Sequence, residues 1–403
     1  MTTTEHSYAT PPQVVDTLKK YQNSSAFVGL VFLALLVAGY FIAGSQQFIR
    51  SYLVGFWMWF GAGVGCLGLL MVQYLTGGAW GVMIRKALEA GAKTLYAMWV
   101  LFLPLLLKAN DLYWWTTPAG QADEKIKQKA LYLNIPFLWG RWVIYGVVFC
   151  GLTYLLTKWS KQEAETKSIE FSKKLEWLSA PGLLAYFLLM TFATVDYLMT
   201  LEPHWFSTIY GFMNIIGGGL SALCVVTATM VLLSHYAPLD HALTKKHMHD
   251  LGKLMFAFVM LWAYLNFSQL IITWSANLPD EIVWYIKRMN GGWGWVGVIL
   301  LVFHFVVPFF LLLTQTAKKS KDSLPKIAMY IIVVRMIDVI WNVEPNFVDV
   351  KNVTFTLQWT DIVAPLGFGG LWLAMFYRNL SSEPLLAEGA PDFQKALSHG
   401  REH

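Results

Sequence analysis

The amino-acid sequence predicts an all-α, polytopic membrane protein with ten transmembrane helices, arranged as two tandem four-helix bundles plus two flanking helices. Three observations lead there. The 403 residues are 56% hydrophobic and only 14% charged, against about 25% charge in a soluble domain, and the mean hydropathy is +0.48. The apolar residues fall in continuous runs such as Phe27 to Val37, not in the short alternating segments of a β-barrel. Several short phrases also recur four spans apart. Ten spans of about 20 residues occupy roughly half the chain and leave no room for a separate soluble catalytic domain.

The runs lie at 26–44, 52–75, 94–107, 136–157, 178–200, 208–234, 251–275, 294–316, 326–343 and 360–378. Residues 1–23 hold Glu5 and Asp16 and no apolar core, and the first run is too long for a signal peptide, so it is expected to remain as a span. The stretch from Gly78 to Lys93 has mixed polarity and reads either as a segment on the inner interface or as an extension of the third span. The expected units are an N-terminal segment 1–25, a flanking helix 26–51, a first bundle 52–200, a second bundle 201–343, an outer loop with the tenth helix 344–378, and a tail 379–403.

An even number of spans puts both termini on one side. With the termini inside, 20 of the 30 Lys and Arg residues fall on inner segments and 9 on outer ones, and Arg335 alone lies within a span. That bias predicts cytoplasmic termini and, in a bacterium, an inner (cytoplasmic) membrane with periplasmic outer loops. The net charge of +5 is modest and sits beside the apolar runs, so lipids and not nucleic acid are the expected surroundings. Cys66, Cys150 and Cys224 lie within apolar runs without a CxxC or CxxCH, so iron–sulfur clusters and covalent haem lack ligands on this chain. His304 is the only histidine at mid-span, which leaves a bis-histidine haem without an axial pair. His235, His241, His247 and His249 match no zinc spacing and read as a solvated loop. No bound metal is expected.

The recurring phrases are the most informative. Asp196 to Pro203 and Asp338 to Pro345 both read D-x5-E-P, each followed closely by Phe206 or Phe347. Span two holds Gly61, Gly63 and Gly65, and span six holds Gly217, Gly218 and Gly219. Spans three and seven run out into Ala109-Asn110-Asp111 and Ala276-Asn277-Leu-Pro-Asp280. Each pair is four spans apart, which suggests two repeats in the same orientation.

Ionisable residues in a bilayer cost a few kcal/mol each on insertion scales, so they should be paired, hydrated or working. Counted from Ile327, Asp338 lies ~17 Å along its helix, just past mid-membrane, while Asp196 lies ~27 Å along its own, near the outer edge. Arg335 and Asp338 are three residues apart on one helix and are placed to pair. Asp196, Glu202, His304, Arg335, Asp338 and Glu344 are therefore the candidates for proton transfer. On the outer side, Asn266, Ser268 and Gln269 lead toward Trp274, Asn277, Asp280 and Trp284. Together with Asp196 and His204, the residues Asn277, Asp280 and Trp284 would make an aromatic, acidic pocket suited to a quinone.

The phrases Glu202-Pro-His-Trp-Phe-Ser-Thr-Ile-Tyr-Gly211, Trp262-Ala-Tyr-Leu-Asn-Phe-Ser-Gln269, Trp274-Ser-Ala-Asn-Leu-Pro-Asp-Glu-Ile-Val-Trp284 and His304-Phe-Val-Val-Pro308 resemble the ActF-type membrane subunit of bacterial alternative complex III, in the NrfD/PsrC superfamily. The resemblance covers about residues 50–380. It implies a subunit of a respiratory or photosynthetic quinol:cytochrome c or other electron-acceptor oxidoreductase, inactive alone. It further implies a homologous ActC-like membrane subunit, an iron–sulfur subunit and c-type cytochrome subunits as partners, and a terminal oxidase beyond them. Haem c and iron–sulfur clusters would reside on those partners, with menaquinone or ubiquinone as the mobile substrate. The ActC-like subunit is the better candidate for the quinol site. Residue by residue the resemblance carries over Asp196, Glu202 and His204 as the outer acid motif, and His304, Arg335 and Asp338 as the second-bundle polar set. Two other classes fit the same features: a purely structural scaffold with satisfied buried charges, and an ion-coupled secondary transporter.

Overall fold

The computed structural model describes residues 10–401. The first nine residues of the N-terminal segment, Glu5 among them, and the last two of the tail lie outside the described residues. Those described form helices joined by turns, with no strand. Eight helical stretches are long and apolar enough to cross a membrane.

The first, α1 (Pro12–Thr76), has 65 residues, ~97 Å if straight and about three times a bilayer core. It is broken at Gly44, whose φ of +87° lies outside the helical region and which only glycine adopts freely. The chain folds back there, because residues on both limbs meet the same late helix: Gly39 faces Thr360 and Gly55 faces Ala364. The helix begins at Pro12, so residues 12–25, expected to precede the first span, are already helical.

Next comes α2 (Ala79–Ala92), buried from Gly81 to Ala92. It joins Leu95–Leu101 and Leu103–Leu107 in one membrane-length stretch, Ala79–Leu107. Two long helices follow, α3 (Ile135–Thr166), capped by the Asn134 side chain, and α4 (Ile169–Tyr197), which carries Pro181 in its interior. After a turn, α5 (Tyr210–Leu233) takes the central position, with 94% of its apolar window buried. Then α6 (Lys245–Ala276) leads into the short amphipathic α7 (Pro279–Met289).

The eighth helix, α8, runs over Trp293–Leu300, widens into a π-helical turn at Leu301–Val306 and continues as Val307–Leu313. Pro308 explains the widening, since it has no N–H to offer the His304 carbonyl four residues back. α9 (Ser323–Val343) has 21 residues, ~31 Å of helix, but Lys326, Arg335 and Asp338 keep it out of the apolar eight. Last are α10 (Trp359–Ser381) and α11 (Phe393–Arg401).

The echoing glycines pack on each other. A Cβ on Gly65 would sit 2.4 Å from the Gly218 carbonyl oxygen, and one on Gly218 would sit 2.6 Å from that of Gly61. The second limb of α1 and α5 thus touch backbone to backbone, as small residues permit in lipid. Before this contact α1 packs with α2, α3 and α4; beyond it α5 packs with α6 and α9.

Candidate functional site

On α9, Arg335 and Asp338 share a helix face and form a buried ion pair. Trp262 of α6 donates its indole N–H to Asp338 Oδ2 at 3.3 Å, and Asn342 donates to Oδ1 at 3.3 Å and to the Asp338 carbonyl at 2.8 Å. Room for the guanidinium comes from Gly217, where a Cβ would lie 2.5 Å from Arg335 Nη2. Beside the pair is a cavity of about 10 Å³, lined by Trp57, Asn214, Asn266, Arg335, Asp338 and Asn342. That is about the room of one water, among enough polar groups to hold it.

His304 occupies the π-helical turn and is buried, with no hydrogen-bond partner on either ring nitrogen. Its ring lies 4.0 Å from that of Trp262, tilted by 34°. One indole therefore touches His304 with its face and Asp338 with its N–H. Of the sequence-derived candidates, Arg335, Asp338 and His304 come together here. Trp262 and the three asparagines complete the site.

Asp196, at the end of α4, is fully buried in a different setting. It accepts from Arg141 Nε at 2.7 Å and from the Tyr145 hydroxyl at 2.5 Å. Arg141 also donates to the Tyr132 carbonyl at 3.0 Å and lies over the rings of Tyr132 and Phe137 at 4.0 and 4.4 Å. The expectation that Arg335 alone lies within a span is thus corrected: Arg141 is on the first turns of α3, turned inward to the acid.

The two glutamates of the D-x5-E-P phrases meet different cations. Glu202 accepts from Lys287 of α7 at 2.5 Å, and Lys287 also donates to the Asn346 carbonyl. Beside it, Arg288 donates to the carbonyls of Trp341 and Asn342 at 3.1 and 2.6 Å, closing the C-terminal end of α9, where carbonyls lack helical partners. Arg288 is fully buried, and burial, the largest influence, brings its guanidinium down to about 9. Glu344 is buried beyond α9 in the field of Arg50 and Asp361. Burial and then Asp361 hold its carboxyl well above the usual range, against the pull of Arg50.

A third group of buried charges lies elsewhere, on α2 and α3. Arg85 pairs with Glu163 at 2.8 Å, and Lys86 pairs with Glu89 at 2.9 Å and donates to Ser160 at 3.1 Å. Glu383 of the tail reaches both Lys93 and Lys86. These residues do not stand out in the sequence, although Lys86 and Glu89 have the spacing of a helical ion pair.

The five-residue quinone pocket is not assembled. Asp196 is enclosed by Arg141 and Tyr145. His204 lies 3.6 Å from Asp123 and against Trp114. Asn277 is the exposed left-handed cap of α6, with φ +48°. Asp280 is exposed and paired to Lys125 at 2.7 Å, which holds its carboxyl below the usual range. Trp284 is buried between Trp205, stacked at 4.9 Å, and the Arg288 guanidinium, 3.5 Å over its ring. None of the five lines the cavity at Asp338, and the intervening loop helices explain the scatter: α7 turns Trp284 inward while leaving Asp280 in solvent.

His247, expected in a solvated loop, is buried. Its Nδ1 meets Thr244 in a capping box at the start of α6 and its Nε2 lies 3.0 Å from the Ala396 carbonyl. Among the described residues, no three His, Cys, Asp or Glu side chains are grouped to hold a metal ion. Comparison of the chain with family models and with curated proteins finds no match.

Proposed function

We propose that this chain is the ActF-type membrane subunit of a quinol:electron acceptor oxidoreductase, and that its second half moves protons through Asp338. One observation carries the proposal: a buried acid and guanidinium share a cavity with room for water and lie one indole away from an unpartnered histidine. A carboxylate paired with an arginine, beside a cavity with room for a water and one indole away from an imidazole, is placed to take up and release a proton with small movements. In this reading α1 supplies two spans, α9 is a span despite its charges, and the ten spans form two bundles between flanking helices, with both termini cytoplasmic in a bacterial inner membrane. The quinone, haem c and iron–sulfur chemistry reside with the partner subunits.

Two features weigh against the transporter reading. Arg335 fills the place beside Asp338 that a coupling cation would need. The proline at the π-helical turn of α8 also leaves the helix continuous, unlike the broken helices that bind ions in such proteins. The scaffold reading predicts that nothing chemical depends on Asp338.

The test is to isolate the chain with its partners from native membranes and measure protons moved per electron before and after Asp338→Asn. Haem absorbance in the isolate together with a lower proton yield in the variant is expected. Isolation without redox subunits, or an unchanged yield in an intact complex, overturns the proposal.

A further inference from the structure

At the end of α4 remote from the chain termini there is a second, larger cavity, of about 450 Å³, open to the surface, which is within the range of small-ligand sites. One wall is the segment around Lys129, Leu131 and Tyr132; the other is the turn carrying Met199, Trp205 and Phe206. Most of this lining is apolar. Leu131 is 92% exposed and Phe206 58% exposed at its rim, so large apolar side chains are left for something outside this chain to cover.

Two observations define the occupant. Leu184, Leu188 and Phe192 are exposed on α4, and at four-residue spacing they share one face that leads to Val195 in the cavity wall. The cavity is thus the head of an apolar track about as long as a lipid chain. At its rim is a cation whose nearby acids, Asp123 and Asp280, form ion pairs with other residues. Lys125 pairs with Asp280 and Lys127 with Glu124, whereas Lys129 donates to the Pro203 carbonyl at 2.8 Å and, among the described residues, forms no ion pair. Burial and then the neighbouring Lys125 lower its ammonium from the ordinary value, against the pull of Asp123 and Asp280. Lys side chains at a membrane surface are typical partners of anionic headgroups.

We propose that this groove binds one anionic phospholipid, its phosphate at Lys129 and its chains along the α4 stripe. A quinone would use the same track but offers no anion to Lys129. This site is independent of proton movement at Asp338.

The test uses the full chain with whatever partners co-purify, placed in nanodiscs of mixed phosphatidylglycerol and phosphatidylcholine, and reads retained lipid by native mass spectrometry. Retention of one phosphatidylglycerol in preference to phosphatidylcholine is expected, with at least a tenfold loss of that preference in Lys129→Glu and its recovery in Lys129→Arg. Met199→Trp, which fills the groove and leaves Lys129 in place, should lose the lipid as well, with folding followed by size-exclusion chromatography. Equal retention of the two lipids by the unmodified protein, preference unchanged in folded Lys129→Glu, or a quinone in the groove in place of phospholipid would overturn the proposal.

Discussion

The two aspartates that open the D-x5-E-P phrases stand at the same distance from a Glu-Pro and have opposite surroundings. Asp196 is held by an arginine from another helix and by a tyrosine hydroxyl; Asp338 is held by an arginine on its own helix, beside a cavity. The first arrangement ties α3 to α4 and would be broken by losing either partner. The second pair lies within α9, and the acid's tie to another helix is the single indole N–H of Trp262 on α6, so its charges are freer to serve chemistry. The lesson is that a repeated motif fixes where an acid stands along a helix, while the neighbouring helices decide whether it acts as a strut or a site. His304 sharpens the contrast. The second half places an unpartnered imidazole near its acid, whereas the acid of the first half is met by tyrosines.

The largest expected effect tests the strut. Replacing Arg141 by Met leaves a buried carboxylate without its cation and should cost about 3–5 kcal/mol, the usual penalty for breaking a buried pair from one side. Thermal unfolding in detergent measures it. The double variant Arg141→Met, Asp196→Leu should recover most of the loss, because no charge is then left stranded. A single variant as stable as the unmodified protein would remove the distinction between the halves.

Next is the site. Asp338→Asn keeps one acceptor oxygen for either Trp262 or Asn342, which meet different oxygens of the carboxylate, and leaves Arg335 beside a cavity that can hydrate it, so stability should fall by about 1–2 kcal/mol. Proton movement in the assembled complex should fall at least tenfold, about 1.4 kcal/mol in barrier. If instead Asp338→Asn unfolds the protein as readily as Arg141→Met, both acids are struts.

How much of this was legible in the sequence follows from where the interacting residues sit. Arg335 and Asp338 declare themselves because the pair is local, three residues apart in one apolar run. Arg141 does not: it lies near the outer end of its run and its partner is 55 residues away. The same holds for Arg85 of α2 and Glu163 of α3, 78 residues apart: in sequence α2 reads either as interfacial or as an extension of the third span, because pairing, invisible to hydropathy, is what lets its charges be buried. The break at Gly44 was legible only as a gap between two runs. The candidate quinone-pocket residues are spread for a simpler reason, since residues close in sequence on the loop after α6 alternate between inward and outward faces once that loop becomes the helix α7. The central contact of α1 with α5 is the reverse case: two glycine clusters first noticed as a repeat turn out to touch.

The smallest effect concerns the glutamates that close the two phrases, and it should differ in sign between them. Glu202 is paired with Lys287, so Glu202→Gln leaves a buried ammonium with the Asn346 carbonyl as its remaining partner and destabilises. Glu344 is buried and its carboxyl is held well above the ordinary range, chiefly by burial and then by Asp361. The folded protein therefore keeps a proton on Glu344 where the unfolded chain has released it. Since the native state binds more protons, this residue's contribution is complete below the unfolded carboxyl's range, near pH ~4.3, and declines as pH rises toward the folded value. Glutamine is neutral throughout and offers a similar shape, so Glu344→Gln should leave stability at pH 5 nearly unchanged and raise the midpoint of unfolding at pH 8 by roughly 2 °C. Thermal melts of both variants across that interval read the result. A Glu344→Gln curve that falls with pH as steeply as that of the unmodified protein would mean the carboxyl is charged in the fold, its negative charge balanced by Arg50, and the two phrases would then end in the same kind of ion pair.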